Sequence, residues 1–272
     1  MREGINRSEK VNSWDEINNI LFMKSWNEDL GRYRSPYAFR GLPDKDYKLK
    51  TSLIRLGGNY MKREQDLLRN FRKYASRNLV EYDSIWHWLA LAQHHGLPTR
   101  LLDWTFSPYV ALHFATANME HFDKDGIIWA VNYDHYHQLL PVESKLKKEL
   151  DDEGAALFTV EMLANSVKNL NDLKTIMDDT FVIFFEPPSI DDRIVNQSAL
   201  FSLISRSDVT LDDFLYDFPL LEDAWFKVII PASLKWEIRD KLDQSNITER
   251  VLFPGLDGLS QWLARYYSPK NK

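Results

Sequence analysis

The chain has 272 residues, of which 44% are hydrophobic and 13% aromatic, so it can bury a substantial core. Its formal net charge of −6 gives no general attraction to nucleic acid or anionic membranes, although a local basic groove is compatible with it. Because cysteine is absent, disulfides, thiolate nucleophiles and cysteine-bound metals are excluded. The opening MREGINRSEK lacks the apolar stretch of a signal peptide, so we expect a cytoplasmic protein without a membrane partner.

The first third of the chain predicts two helices and two extended segments. Ser13 and Glu16 have the spacing of a capping box, which favours a helix continuing to about Leu30. Residues 37–41 and 51–55 are predicted to be extended. The apolar spacing over residues 60–74 indicates an amphipathic helix with a basic outer face.

The middle of the chain predicts a buried helix, an extended segment, a second helix and a strand. Residues 85–95 are apolar on nearly every side, and Gly96 and Pro98 are typical of a helix end. Residues 99–105 are predicted to be extended. Ser107 and Pro108 fit the cap and first position of a helix that continues to about Met119, before a strand near residues 127–133.

The remaining elements indicate the fold class. Residues 134–175 are mostly helical and highly charged, so we expect a helical insertion or lid over residues 134–178. The later elements are strands at residues 180–186, 199–205 and 226–230 and a helix at 233–242. Because strands and helices mix without βαβ alternation, we predict an α+β fold: a mixed, largely antiparallel sheet with flanking helices. One domain is expected over residues 1–272, with residues 1–35 as an N-terminal helical extension.

The paired histidines His94 and His95 lack the spacing of metal ligands, because adjacent residues on a helix point about 100° apart. We therefore predict no metal site and expect a hydrogen-bonded histidine at the helix end. Serine hydrolysis is not indicated either, since no Gly-x-Ser-x-Gly pattern occurs and Ser107 fits a helix cap.

Arg40 is the first candidate ligand-binding residue. Strand alternation places Arg40 and Ala38 on one face, and Gly41 follows, which would leave room for a ligand. A guanidinium beside a gap suits a phosphate or carboxylate. The alternative is a buried ion pair between Arg40 and Asp103.

Two further polar groups accompany Arg40. Alternation places Asp103 and Thr105 on one face of their strand, next to the helix start at Ser107, so these residues could receive a pyrophosphate or form a capped sheet corner. Arg193 and Gln197 form a later polar cluster, which is either a loop over a ligand or a polar turn.

These clusters together resemble the FRG domain family. The resemblance covers roughly residues 37–259, and its residues are Phe39-Arg40-Gly41, Ser52-Leu53-Ile54-Arg55, the run 91–105, Ser107-Pro108, the run 111–115, Arg193, Gln197, Phe201 and the run 252–259. It names the domain and implies no particular reaction. Ala199 stands where the family has a glycine.

A looser resemblance, to the ADP-ribosyltransferase superfamily, implies a split sheet that binds NAD and transfers ADP-ribose to a macromolecular acceptor. It implies that Arg40 holds phosphate or ribose and that Gln197 orients the ribose, with Glu186 as an acidic alternative. Thr105, Ser107, Asp103 and Arg193 would line the pocket, and His94 or His95 would add polar contacts. The alternatives are a non-enzymatic interaction or sensor module of a bacterial defence or stress system, and a nucleic-acid-processing protein that uses the basic helix.

Overall fold

The computed structural model describes residues 7–75, 79–80, 82–217 and 223–270. The strands are β1 (Ser8–Lys10), β2 (Trp26–Asn27), β3 (Arg32–Tyr33), β4 (Tyr37–Leu42), β5 (Leu101–Thr105), β6 (Gly126–Asn132), β7 (Phe158–Thr159), β8 (Val182–Glu186), β9 (Ala199–Ile204) and β10 (Trp225–Ile230). The α-helices are α1 (Trp14–Phe22), α2 (Ser52–Leu56), α3 (Tyr60–Tyr74), α4 (Ile85–His94), α5 (Pro108–Thr116), α6 (Tyr133–Gln138), α7 (Lys145–Glu153), α8 (Val160–Ser166), α9 (Asp192–Asn196), α10 (Leu211–Asp217), α11 (Lys235–Gln244), α12 (Glu249–Leu252) and α13 (Leu256–Tyr266). None of the described helices has the length and apolar content needed to cross a membrane.

The main sheet has eight strands in the order β1-β10-β6-β4-β5-β9-β8-β7. Its inner strands pair antiparallel, whereas the edge strands β1 and β7 pair parallel with their neighbours. The predicted α+β fold with a mixed, largely antiparallel sheet is confirmed. The ADP-ribosyltransferase-like split stays a prediction.

Helices cover the two faces of this sheet differently. On one face, α6 and α10 pack over side chains such as Trp104 and Phe184. On the other face, α1, α5 and α11 cover β4, β6 and β10, while α4, α7 and α8 cover β5, β8 and β9. The boundary between these two helical layers therefore falls between β4 and β5.

β4 and β5 are neighbours at this boundary, yet they pair through a single residue pair, Phe39 with Thr105. By comparison, β4 and β6 share six pairs and β5 and β9 share five. Continued antiparallel pairing would place Arg40 opposite Trp104 and Gly41 opposite Asp103. Because those pairs do not form, the two strands part and leave an opening in the middle of the sheet.

The first predicted helix is shorter than expected, because it ends at Phe22 and not near Leu30. The chain then forms the β2–β3 hairpin, in which the rings of Trp26 and Tyr33 lie 5.2 Å apart. The side chain of Asn27 accepts a hydrogen bond from the Leu30 amide in its turn. The prediction of helix beyond Phe22 was wrong because this turn and the aromatic pair override the helical spacing.

The extended prediction for residues 51–55 was also wrong, because α2 occupies most of this segment. Thr51 caps the helix by accepting a hydrogen bond from the Ile54 amide, and Leu53 is fully buried. Gly57 ends the helix with a φ of +72°. A run of Thr, Leu and Ile therefore became helical through its cap and its buried leucine.

Residues 134–178 contribute to the core as well as to the surface. Leu146, Phe158 and Leu163 are fully buried in the cluster that includes α4. His137 fastens α6 to β8: its Nδ1 lies 2.8 Å from the carbonyl of Ala156, and its Nε2 accepts a hydrogen bond from the Phe184 amide. A role of this segment as a lid stays a prediction.

A buried cluster of charged residues joins α11, α12 and α13. Glu249 accepts hydrogen bonds from Arg239 and Arg265, each at 2.7 Å. Burial alone would raise the pKa of Glu249, but the hydrogen bond from Arg265 and the charge of Arg239 lower it to about 2. Arg239 also donates to Nδ1 of His113, so this nitrogen carries no proton.

His113 predicts an acid sensitivity of the fold. Burial, with the charge of Arg239 adding to it, lowers the pKa of His113 from 6.5 to about 3. The unfolded chain therefore takes up a proton between these pH values that the folded protein excludes, so stability falls as pH falls. We expect the free energy of unfolding, measured in urea, to lose on the order of 1.4 kcal/mol per pH unit through this group below pH 6.5.

The matched variant is His113→Gln, compared with the unmodified protein between pH 6.5 and 4.5, the range above the titration of Glu249. The variant should have a shallower dependence of stability on pH. Equal slopes for the two proteins would show that His113 does not cause the sensitivity.

Candidate functional site

A cavity of about 510 Å³ lies where β4 and β5 part. Its walls come from β4, β5 and β9, from the ends of α4 and α9, and from α5. Seven residues that the sequence singles out line it together: Arg40, His94, His95, Asp103, Thr105, Arg193 and Gln197. The fold thus assembles these residues from segments more than 150 positions apart in the chain, as Arg40 and Gln197 are.

Arg40 reaches across the opening to β5. Its Nη1 donates a hydrogen bond to the main-chain carbonyl of Asp103, whereas the Asp103 carboxylate lies 3.9 Å from Nη1. Nε of Arg40 is buried and has no hydrogen-bond partner among the described residues. Burial lowers the pKa of Arg40 from its ordinary value, and Asp103 opposes the shift. Arg40 is therefore hydrogen-bonded to the main chain of Asp103, whereas the Asp103 carboxylate lies farther from the guanidinium.

The Asp103 carboxylate is held by Gln93 instead. The amide nitrogen of Gln93 lies 3.0 and 2.9 Å from the two carboxylate oxygens, and its carbonyl oxygen accepts a hydrogen bond from Thr99. The Asp103 side chain is 59% exposed. Its carboxylate is thus oriented from one side and open to the cavity on the other.

His94 and His95 line the cavity at the end of α4. His94 Nε2 lies 2.7 Å from a carboxylate oxygen of Asp191, and the two imidazole rings meet edge to face. Asp191 also caps α9 by accepting hydrogen bonds from the amides of Arg193 and Ile194. His94 thus contacts Asp191 at ion-pair distance and ties α4 to α9, while a hydrogen-bonded histidine at this helix end stays a prediction.

The wall that contains Arg193 and Gln197 is fastened to α12. The side-chain amide of Gln197 donates to the carbonyl of Leu252 at 2.8 Å, and Asn196 donates to Val251. The guanidinium of Arg193 lies 5.0 Å from the centre of the Phe253 ring. The segment is a short helix, α9, and neither a loop nor a turn; Arg193 and Ile194 from this helix and Gln197 at its end line the cavity.

Thr105 and Ser107 have different roles. Thr105 Oγ1 donates to the main-chain carbonyl of Gln197 at 2.6 Å and accepts from the Ser107 amide at 3.0 Å. Ser107 caps α5 by accepting from the Val110 amide and is not among the cavity residues. The predicted cap is confirmed, and the structure places Thr105 but not Ser107 in the cavity.

The space beside Gly41 is occupied by the protein itself. A Cβ added to this glycine would lie 1.8 Å from the main-chain oxygen of Ala111 in α5. Gly41 lines the cavity, as the expected room beside Arg40 requires, but that room comes from the parting of β4 and β5. The position of the absent Gly41 side chain is filled by the backbone of α5.

Glu186 lies apart from the cavity. Strand alternation in β8 places Glu186 on the face of Phe184, which belongs to the cluster on the opposite side of the sheet. Burial raises the pKa of Tyr133 on that side, and the charges of Asp134 and Glu186 add to the shift. The structure does not bring Glu186 together with Gln197.

Sequence reasoning gave no role to Gln93, Ile194, Phe114 or Phe201, although all four line the cavity. Gln93 lies in the same short run as Asp103, but their contact depends on how α4 packs on β5. Phe201 lies in β9 two residues after Ala199, and both line the cavity, so strand alternation could have placed this aromatic side chain on the cavity face.

The structure also bears on a metal site, which the sequence did not indicate, and on the basic helix as a nucleic-acid contact. Across the described residues, no group of three His, Asp or Glu side chains is placed to hold a metal ion. On the basic helix α3, Arg69 pairs with Asp66 and Arg72 with Asp83, so part of its positive charge is compensated.

Comparison with known families matches residues 35–124 to the model of the FRG domain. The protein contains an FRG domain. Comparison with curated proteins found no match, and neither did comparison with solved structures. The FRG match includes β4, α4, β5 and α5, and with them Arg40, His94 and Asp103. Arg193 and Gln197, in the other wall of the cavity, follow the matched residues.

Thr105, inside the FRG match, is hydrogen-bonded to Gln197 in the other wall of the cavity, and this contact predicts the effect of a substitution at Thr105. Thr105→Val keeps the shape of this 3% exposed side chain but leaves the Gln197 carbonyl and the Ser107 amide without their partner. We expect a loss of about 2–3 kcal/mol in the free energy of unfolding, measured by urea denaturation. Ser107→Ala, which removes only a helix cap, should cost about 1 kcal/mol. A smaller effect for Thr105→Val than for Ser107→Ala would contradict this account.

Proposed function

We propose that the cavity between β4 and β5 binds a nucleotide, NAD in particular, and transfers ADP-ribose from it to a macromolecular acceptor. The observation that carries the binding proposal is the state of Arg40: a largely buried guanidinium in the cavity wall whose nearest carboxylate is beyond hydrogen-bonding distance. Arginine stays protonated in proteins, so the charge is present whether or not a ligand is bound.

The electrostatics of Arg40 favour an anionic ligand. A buried cation without a closely paired anion is poorly compensated, because burial removes its hydration. The Asp103 carboxylate is engaged by Gln93 and lies 3.9 Å away, so it offsets the charge only in part. A phosphate bound in the cavity beside the guanidinium would supply the missing negative charge.

The remaining walls fit the other parts of a nucleotide. Arg193, His94 and His95 provide further polar or cationic groups for phosphate and ribose. Phe114 and Phe201 provide aromatic surface against which a planar base could pack. The volume of about 510 Å³ lies within the ordinary range for small-molecule sites.

Gln197 is the residue we assign to the ribose. Its side-chain amide nitrogen donates to the Leu252 carbonyl, while its side-chain oxygen Oε1 accepts no hydrogen bond within the described part of the chain. That oxygen can accept a hydrogen bond from a ribose hydroxyl. In the transfer, the bond from ribose C1′ to the nicotinamide nitrogen breaks, nicotinamide leaves, and an acceptor nucleophile forms the new bond to C1′.

Asp103 is oriented to take the proton that the acceptor loses, since its carboxylate is held by Gln93 and is open to solvent. A neutral amide at Gln197 stabilises the positive charge that develops on the ribose less well than a carboxylate would. We therefore expect slow transfer. A protein that binds the nucleotide without any transfer would instead act as a sensor or interaction module.

Calorimetric titration with NAD tests the binding proposal. Arg40→Ala should weaken NAD binding by about tenfold to a hundredfold, because a hydrogen bond to a charged group contributes roughly 1.5–3 kcal/mol. Arg206→Ala is the matched control, since Arg206 is an exposed arginine paired with Asp208 and does not line this cavity. It should bind NAD as the unmodified protein does.

Absence of binding to the unmodified protein would overturn the nucleotide proposal. Equal affinity of the unmodified protein and Arg40→Ala would remove Arg40 from the site.

Incubation of the protein with NAD labelled in its ADP-ribose part, together with a cell lysate, tests the transfer. The unmodified protein should label a macromolecule, and Gln197→Ala should lower the rate at least tenfold through loss of the ribose contact and of the anchor to Leu252. NAD binding by calorimetry should persist in this variant. Binding without labelled product from the unmodified protein would favour the sensor alternative.

A further inference from the structure

A second cavity, of about 570 Å³, lies at the N-terminal end of α4. Ser84, His87 and Glu161 line it together. The cavity between β4 and β5 lies at the opposite end of α4. This helix has 10 residues and, at 1.5 Å per residue, is roughly 15 Å long. The two cavities are therefore separate places on one rigid element.

The imidazole of His87 lies between the hydroxyl of Ser84 and the carboxylate of Glu161. Ser84 Oγ lies 2.7 Å from Nδ1 of His87, and Nε2 of His87 lies 3.3 Å from a carboxylate oxygen of Glu161. His87 is only 3% exposed, and its Nε2, though within ion-pair distance of Glu161, lacks the geometry of a hydrogen bond to any described residue. The Glu161 side chain is half-exposed, so a rotation of this side chain can complete the contact.

We propose that Ser84, His87 and Glu161 form a hydrolytic site for small esters with an apolar acyl group. One imidazole nitrogen faces the hydroxyl and can take its proton, while the other faces a carboxylate that stabilises the imidazolium. Serine–histidine–carboxylate sites occur on unrelated folds and are recognised by their geometry. The absence of a Gly-x-Ser-x-Gly pattern therefore excludes only the fold in which the serine lies on that turn.

The backbone around Ser84 supports its role as the nucleophile. Ser84 is the N-cap of α4, as Ser107 is of α5, and its Oγ accepts a hydrogen bond from the His87 amide at 3.3 Å. Ser84 differs from Ser107 in the imidazole nitrogen that lies 2.7 Å from its Oγ, and the amide contact stabilises the alkoxide form. The amides of the first helical turn lack partners within the helix and lie at the positive end of its dipole. They can donate to the oxyanion that forms when a carbonyl carbon is attacked at Ser84.

The reaction balances with water as the second substrate. Ser84 Oγ attacks the ester carbonyl carbon while its proton moves to Nδ1 of His87, and the same proton then leaves with the alcohol as the ester bond breaks. Water attacks the acyl group on Ser84, loses a proton to His87, and the acid departs as that proton returns to Oγ. Ile85, Ala164 and Val167 line the cavity as apolar surface for the acyl chain.

A fluorophosphonate probe tests the nucleophile, because it forms a phosphorus–oxygen bond to an activated serine and releases fluoride. Intact-mass and peptide mass spectrometry should find one adduct on the full-length protein, at Ser84. Ser84→Asp should give no adduct while keeping an oxygen that caps α4. Ser144→Ala is the control: Ser144 caps α7 in the same way, by accepting from the Lys147 amide, and no histidine among the described residues is hydrogen-bonded to its hydroxyl. This variant should be labelled like the unmodified protein.

Hydrolysis of p-nitrophenyl butyrate tests the other two groups. His87→Gln should lower kcat by about a hundredfold or more, as expected for loss of a general base. Glu161→Gln should lower kcat about tenfold with KM unchanged, since Glu161 acts through His87 and not on the substrate. An unlabelled and inactive unmodified protein, or equal labelling of Ser84→Asp, would overturn the proposal. Neither result depends on whether the protein binds NAD.

Discussion

β4 and β5 meet at Phe39 and Thr105 and then part, and the polar centre of the molecule depends on that parting. In a continuous sheet, the carbonyl of Asp103 would be satisfied by the amide of a neighbouring strand. Here the guanidinium of Arg40 takes that role. Gly41 allows the backbone of α5 to approach β4 where any side chain would collide. The guanidinium of Arg40 thus replaces a backbone donor between β4 and β5, and the carbonyl of Asp103 that it satisfies fixes its position.

The two walls of the cavity are linked through the buried interior of the protein. The later wall is attached to α12 by Gln197 and Asn196. α12 contributes Glu249 to the charge cluster, and Arg239 connects that cluster to His113, the neighbour of the cavity residue Phe114. Buried ion pairs contribute little net stability relative to apolar packing, but they require a particular geometry. We infer that this network sets the distance between α5 and α12 more than it adds to stability.

Features that depend on local periodicity could be predicted from the sequence. Features that depend on contacts between segments far apart in the chain could not. The cap at Ser107 was predicted correctly, and Asp103 and Thr105, which alternation placed on one face, both line the cavity. The single pair between β4 and β5, and the capture of the Asp103 carboxylate by Gln93, depend on how α4 and α5 pack on the sheet. No pattern within either strand encodes that packing. Glu186 was misjudged because proximity in sequence to Gln197 does not reveal which face of β8 it occupies.

The cavity has one wall inside the FRG match at residues 35–124 and one wall beyond it. A fragment that ended with the match would leave β5 without its partner β9 and would lack Arg193, Gln197 and Phe201. The segment that sequence similarity detects is therefore smaller than the segment that encloses the cavity. Under the proposed function, a change in the second wall alone would alter which ligand fits while Arg40 and the first wall stayed the same, so a shared FRG match would not by itself imply a shared ligand.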